Sequence, residues 1–307
     1  MYPLNPISFK DLPFSIIIPT CRGPVALKKC LGSIFDMDHG RTHGHEVIVV
    51  NDGGPVLDEK STFFLKGTPV HIVNQANQGA AAARNAGAKM ARGKFLIFLD
   101  DDCLLHRQWL KIISRKLVNN PPTMLGGQMV NGCSASRFAA ATQIMMDYFY
   151  QNSNQQKGGT RFLASSNLVV PREPFLAMGG FDESFPGAGG EDRDFCRRWL
   201  DAGYCLTHVN QAIVYHFHDL GLKQFMAQHF NYGRGAFRYY RKTGFNTGND
   251  KRSVAFYLRL LTSPLGKEQD LGKYKLICCL LLSQGATGLG LFHGFICIIL
   301  ALLQNKS

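Results

Sequence analysis

What is scarce in this chain of 307 residues narrows its class before any motif is read. Acidic residues are few, 22 Asp+Glu against 34 Lys+Arg, which leaves a formal charge of +12. Charged residues of both signs make up only 18% of the chain and hydrophobic ones 45%, which excludes a disordered or collagen-like protein. The nine cysteines contain no Cys-x-x-Cys pair and no Cys/His spacing of a zinc site. They exclude a disulfide scaffold and read as reduced thiols of a cytosolic chain. The first residues lack the basic and apolar regions of a secretory signal, so the main domain is expected in the cytosol. A Gly-x-Gly-x-x-Gly turn is missing after the first apolar run, where Pro19-Thr-Cys-Arg-Gly-Pro24 stands instead. A nicotinamide dehydrogenase is thereby excluded.

What is present is an alternation of short apolar runs with helical patterns. Phe14–Ile18, Val47–Val50, Val70–Val73 and Phe95–Leu99 read as strands, and Val25–Phe35 and Gln78–Arg92 as helices between them. Strands of about five residues separated by helices predict a mainly parallel sheet with helices on both faces. Ligands of such sheets bind beyond the carboxyl ends of the strands. The residues there are polar: Pro19-Thr-Cys-Arg22, Asn51-Asp-Gly-Gly54, Asn74–Gly79 and Asp100-Asp-Asp102. Further helices are expected at His106–Asn119 and Arg137–Gln151, and a Gly-rich stretch around Gly179–Gly190.

The positive charge is regional. Lys223–Lys275 holds eleven Lys/Arg and three Asp/Glu, so it carries +8 of the total. Leu276–Leu303 follows with no Lys, Arg, Asp or Glu: 20 of its 28 residues are apolar and four are Gly. That length suffices for one tilted membrane span. A helical hairpin broken at the Gly-rich centre, packed on the protein or lying in the interface, is the other reading. Membrane association is expected, with spanning and surface-lying left open. The basic stretch suits anionic headgroups better than a nucleic-acid groove, since it abuts the apolar tail.

Three consecutive carboxylates at a strand end repel one another unless a cation or donors neutralise them. In an extended segment Asp100 and Asp102 face one side and Asp101 the other, and hard oxygen ligands select Mg²⁺ or Mn²⁺. A turn or helix cap is the bland alternative for such a triplet. Asp52 can accept from a nucleobase N–H or a ribose hydroxyl, and Arg84, set among four alanines, suits a diphosphate or a base edge. Glu191 and Asp192 follow Gly189-Gly190 at a helix start, where the dipole keeps carboxylates ionised. Asp192 can act as a general base and Glu191 can bind an acceptor hydroxyl or orient the loop. His216 and His218, two apart, are each able to complete a metal shell begun by Asp100 and Asp102. His39, His43 and His45 are assigned no metal.

Six elements together resemble family 2 glycosyltransferases of the GT-A fold: Ile18-Pro-Thr20, Asn51-Asp-Gly53, Gly79-x4-Arg84-Asn-x-Gly87, Asp100-x-Asp102, Gly180-Phe-Asp182 and Glu191-Asp192. The resemblance covers residues 12 to 240, and the Gly179–Asp192 block is also similar to the acceptor-side segment of galactosyltransferase-like enzymes. It implies an α/β GT-A (Rossmann-like) mixed sheet and a catalytic domain over 12–245. A basic stretch over 246–275 and the apolar, membrane-associated segment over 276–303 complete the division. It further implies metal-dependent, inverting transfer from a nucleotide-diphosphate sugar, a UDP-sugar being expected, to a saccharide or lipid-linked acceptor, as in polysaccharide biosynthesis. Pro19, Thr20, Arg22, Asp52, Arg84, Asp100 and Asp101 are the expected nucleotide-sugar contacts. Asp100, Asp102, His216 and His218 are the expected ligands of Mn²⁺ or Mg²⁺, and Asp192 with Glu191 the catalytic pair. The competing reading is a non-catalytic nucleotide-sugar-binding protein at the membrane, and no nucleic-acid partner is expected.

Overall fold

The computed structural model describes residues 14–37, 44–57, 70–119, 123–154, 159–185, 187, 189–244, 254–263 and 272–304. His39, His43 and most of the expected basic stretch 246–275 lie outside them. The chain divides into two compact units. The first comprises Met1–Val130, Ser153–Glu183 and Asp192–Phe217, the second Asn131–Asn152, Ser184–Glu191 and His218–Ser307.

The first unit is built on β1 (Phe14–Thr20), β2 (His45–Asp52), β3 (Val70–Gln75) and β4 (Phe95–Leu99). All of these pair in parallel, with β1 between β2 and β4. The Ile- and Val-rich runs of β1 and β2 are buried on both faces, as a covered parallel sheet requires. Pro19 sits in β1 without breaking a ladder, because the pairing of β1 with β4 already ends at Ile17 and Phe98. Helix α1 (Pro24–Phe35) starts with proline at its first position, where no N–H is needed. Helix α2 (Ala80–Met90) lies so close to the sheet that a Cβ on Gly87 would come within 2.5 Å of Ile17 Cγ2. The alanine run Ala80–Ala83 is what lets a helix approach that closely.

Beyond β4 the sheet turns mixed. Its order is β3-β2-β1-β4-β7-β6-β8-β5, with β5 (Cys103–Leu105), β6 (Thr123–Asn131), β7 (Asn167–Pro171) and β8 (Cys205–His216). β7 runs antiparallel to β4 and β6, and β5 antiparallel to β8. The helical pattern at 106–119 becomes α3 (Trp109–Asn119). β6 carries a Gly-Gly pair within its length. Both glycines are there for close approach: a Cβ on Gly127 would lie 2.0 Å from Ala212 O, and one on Gly126 2.5 Å from Leu163 Cδ2. Helices α5 (Arg172–Ala177) and α6 (Glu191–Asp201) complete the order. Phe98, Phe175, Phe181, Phe195 and Trp199 form a chain of ring contacts at 5.0–5.9 Å that ties both helices to β4. Rings at these separations and tilts are favourable beyond the area they bury.

The second unit is helical. It holds α4 (Arg137–Asn154), α7 (Leu222–Thr243), α8 (Val254–Thr262) and α9 (Lys273–Gln304), with the loop over residues 184–191. Ile144, Met145, Phe225, Leu260, Leu276 and Leu280 share its core. The apolar segment is one continuous helix, not a hairpin. Its central glycines do not break it, because Gly290 packs against α7, where a Cβ would lie 1.9 Å from Phe230 O.

Candidate active site

The site grows from the turn that ends β4. The three aspartates are not extended: Cys103 N–H donates to Asp100 O at 3.1 Å, closing a tight turn. The strict alternation expected of an extended triplet therefore does not hold, and each carboxylate meets a different partner. Asp100 Oδ1 accepts from Arg84 Nη2 at 2.7 Å and Asp101 Oδ2 from Thr20 Oγ1 at 2.6 Å. Asp102 Oδ2 accepts from Arg22 Nη1 at 3.0 Å, while its Oδ1 faces His216 Nε2 at 3.2 Å. Strand β8 delivers His216, and Phe217 N–H donates to Asp102 O at 2.9 Å, which fixes the register of the two segments.

These contacts answer the electrostatic problem posed by three adjacent carboxylates. Asp101 differs: it is buried and bonds a neutral hydroxyl, and the Arg22 charge acts on it without a direct ion pair among the described residues. Burial pushes its pKa up to about 6, against the Thr20 hydrogen bond, which favours the charged form. Burial disfavours a charged His216, but the hydrogen bond and charge of Asp102 outweigh it, and the imidazole pKa is raised. The burial of Cys30 and Cys103 beside the turn, close to the three acids, holds both thiols well above their usual range.

Asp52 ends β2 and binds the approach to α2. Its Oδ1 accepts from Gln75 Nε2 at 2.9 Å and Gln78 N–H at 2.8 Å, and its Oδ2 from Gly79 N–H at 2.8 Å. The Cys21 thiol feels the charges of Asp101, Arg22 and Asp52, so the ends of β1, β2 and β4 converge there. The loop after β2 is pinned by Asn51, whose Nδ2 donates to Pro55 O and Asn74 Oδ1, both at 2.8 Å. In the sequence Asn74 is legible only as a polar strand end.

The Arg84-Asn85 dipeptide joins two of the motifs. Arg84 reaches Asp100. Asn85 Nδ2 donates to Phe181 O at 2.8 Å and Glu183 Oε1 at 2.9 Å, and Asn85 Oδ1 accepts from Phe181 N–H at 2.9 Å. Sequence reasoning singles out Arg84 and leaves Asn85 without a role; a polar residue in an alanine-rich buried face is the available signal. Gly180 is required at this contact, since it has φ +70° and a Cβ would lie 2.4 Å from Asn85 Oδ1. Arg198 then clamps α6: its Nε donates to Asp194 at 2.7 Å, Nη1 to Met178 O and Nη2 to Gly180 O.

Asp192 stands in the first turn of that clamped helix, half-buried, with Oδ1 accepting from Arg193 N–H at 2.7 Å. Glu191, its neighbour in sequence, is buried and accepts from Gly189 N–H at 2.8 Å, which closes the glycine loop on itself. His218, two residues beyond His216, is buried in the second unit beside Gln228 at 3.2 Å. The structure thus brings Thr20, Arg22, Arg84, the aspartate triplet and His216 into one cluster, with Asp52 at its rim. Carboxylate oxygen and imidazole nitrogen converging at Asp102 are a donor set that fits a divalent cation such as Mn²⁺.

Comparison with known proteins identifies the family and the fold. The Glycosyl transferase family 2 profile matches residues 15–179, and the profile for the N-terminal domain of galactosyltransferase matches 147–220. Glycosyltransferase AglE of Haloferax volcanii is 28% identical over 229 residues, covering 70% of this chain and 71% of its own. Pre-mycofactocin glycosyltransferase of Mycobacterium tuberculosis is 25% identical over 227 residues, 72% of this chain but only 46% of the relative. Among solved structures, mannosyltransferase PcManGT from Pyrobaculum calidifontis, in complex with GDP-Man and Mn²⁺, shares the fold with a TM-score of 0.57. It does so at 13% identity, over 89% of this chain and 73% of its own. GalNAc-T7 with UDP, GalNAc and Mn²⁺ gives 0.56 at 18% identity, over 81% and 54%. The polar cluster at the carboxyl ends of the strands, the mixed sheet and the matched sequence agree: the chain belongs to glycosyltransferase family 2.

Proposed function

We propose that this glycosyltransferase moves a sugar, with inversion, from a nucleotide-diphosphate donor, a UDP-sugar, to a saccharide or lipid-linked acceptor in polysaccharide or glycolipid assembly. The observation that carries the reading is Asp102, set between His216 and Arg22 at the strand-end rim. Asp102 and His216 are the proposed ligands of Mn²⁺ or Mg²⁺, with Asp100 and His218 as further candidates. A cation held there would supply positive charge to the diphosphate as it leaves. Complexes of relatives of the fold with Mn²⁺ and GDP-Man, or with Mn²⁺ and UDP, support the choice of ion and donor class.

The chain's own residues are proposed to do the rest. Asp52, Thr20, Pro19 and Asp101 line the nucleoside end, and Arg84 and Arg22 offer guanidinium donors to the diphosphate. Asp192 takes the proton of the acceptor hydroxyl as its oxygen attacks the anomeric carbon. The helix start favours the ionised form of Asp192, so it accepts the proton only as the bond forms. Glu191 orients the loop that carries the acceptor. We assign the catalytic domain to 12–245, the basic stretch to 246–275 and a membrane-associated segment to 276–303, with the catalytic domain on the cytoplasmic side.

The test is nucleotide release from UDP-, GDP- and dTDP-sugars with and without Mn²⁺ or Mg²⁺, by wild type and Asp102→Ala. Metal-dependent release of one nucleotide, reduced by about 10²–10³ in the variant, supports the reading. Equal turnover by the two proteins sinks it.

A further inference from the structure

The long apolar helix α9 presents two apolar faces. One is a seam at positions 276, 280, 283, 287, 290 and 294, packed within the second unit. The other is open: Leu289 is 62% exposed, Phe292 61%, Ile299 56% and Leu303 61%. A face of that length and composition is uncommon against water.

Helix α7 lies along the seam and runs in the same direction. Phe225 shares a cluster with Leu280, a Cβ on Gly233 would lie 2.0 Å from Thr287 O, and one on Gly294 would lie 2.3 Å from Phe237 Cδ1. The helices therefore touch backbone to backbone near residues 287–290, the middle of α9. On its other side α7 meets the glycine loop, where a Cβ on Gly235 would lie 2.0 Å from Gly189 O. Arg238 of α7 bonds Ser184 and lies over Phe185 at 5.9 Å. Among the described residues, α7 therefore stands between the middle of α9 and the loop that ends in Glu191.

This arrangement decides how α9 can meet a bilayer. A spanning α9 would carry Arg234, Arg238, Gly189 and Glu191 to the depth of the hydrocarbon midplane, where charged side chains and non-helical backbone are costly. An α9 lying in the interface keeps all of them on the aqueous side. Basic residues flank the helix pair at both ends, Lys273 and Lys275 at one and Arg241 and Lys242 at the other. That is the charge pattern an anionic surface attracts.

We propose that α9 lies in the plane of an anionic membrane leaflet, open face down, and holds the Ser184–Glu191 loop one helix away from the lipid. The proposal rests on the membrane-associated reading above and commits it to one leaflet. An acceptor used at that loop is then a glycan whose lipid anchor stays in the same leaflet.

The test uses the full chain reconstituted with sealed phosphatidylcholine/phosphatidylglycerol vesicles. Tyr274→Cys and Gln304→Cys are combined in a background with Cys21, Cys133, Cys205, Cys278 and Cys297, the thiols that are not buried, replaced by Ser. An impermeant maleimide is added outside and labels are counted per molecule by intact mass. An in-plane helix gives molecules with two labels or none. A spanning helix gives molecules with one label each, and that result overturns the proposal. Leu289→Glu combined with Phe292→Glu should lower vesicle binding by at least about tenfold with nucleotide release unchanged. A dimer in solution that ignores vesicles would assign the face to a second copy and also overturn it. Nucleotide release is read separately in every variant, so failure of the donor chemistry is distinguishable from failure of the membrane geometry.

Discussion

Arg22 Nη1 sits 3.0 Å from Asp102 Oδ2, on the carboxylate whose other oxygen faces His216. The guanidinium is half exposed, with 53% of its side-chain surface open, whereas Asp102 is buried. The chain's own cation thus occupies one oxygen of the proposed metal ligand, and it is free to leave toward solvent.

The first prediction follows from that competition. Arg22→Gln should bind Mn²⁺ more tightly, by about three- to tenfold, because a positive charge beside the ligand is removed. The same variant should bind nucleoside diphosphate less tightly. Isothermal titration with the metal alone checks the first half, and weaker Mn²⁺ binding would contradict it.

Asp101 supplies a pH dependence whose sign can be worked out. Its folded pKa of about 6 stands above the ordinary carboxylate value. The folded protein therefore holds its proton where the unfolded chain has lost it, and the destabilisation grows as pH rises from about 4 to 6. Asp101→Asn should be more stable than wild type at pH 7.5, by at most about 3 kcal/mol, with the gain gone below about pH 4. Thermal melts across that range read it directly.

His229 gives the opposite slope. It is fully buried on α7, between Phe225 and Tyr232, and burial with the charge of His218 lowers its pKa to about 4. The stability it contributes is complete above about pH 6.5 and is lost as pH falls toward about 4. His229→Phe should remove that loss, worth up to about 3 kcal/mol. Urea unfolding at pH 7 and pH 5 compares the two proteins; an unchanged pH 5 deficit in the variant would refute the assignment.

Two glycines of α9 make a matched pair. A Cβ on Gly290 would lie 1.9 Å from Phe230 O, whereas one on Gly285 would meet nothing within 4 Å. Gly290→Ala should cost about 1–3 kcal/mol by forcing α7 away. Gly285→Ala should be neutral or gain up to about 1 kcal/mol from helix propensity. Urea unfolding of the two variants beside wild type reads both, and equal stability of the pair would contradict the close helix contact.

Much of the fold is legible in the sequence because β1, β2 and β4 are buried on both faces and read as unbroken apolar runs. The antiparallel half is not. β6 carries Gly126 and Gly127 at close approaches to neighbouring segments, and β8 mixes Thr207, His208, Asn210 and Gln211 into its length. Neither leaves the period-two signal of a half-exposed strand. In the site, the polar residue types at the strand ends are legible, but their partners do not appear in the sequence. The turn at Asp100–Cys103 separates carboxylates that alternation would pair, and the Asp102–His216 contact joins residues 114 positions apart. The continuity of α9 is hidden for a related reason: its glycines read as breaks, and only the presence of α7 explains Gly290 and Gly294 as contact points.

Asp102 is proposed to anchor a metal–diphosphate site. This is tested most directly by titrating UDP and GDP into wild type and Asp102→Ala, each with and without Mn²⁺. One nucleotide should bind wild type in a Mn²⁺-dependent manner, and the variant should lose at least about tenfold in affinity. Nucleotide binding that is indifferent both to Mn²⁺ and to the loss of Asp102 would contradict it.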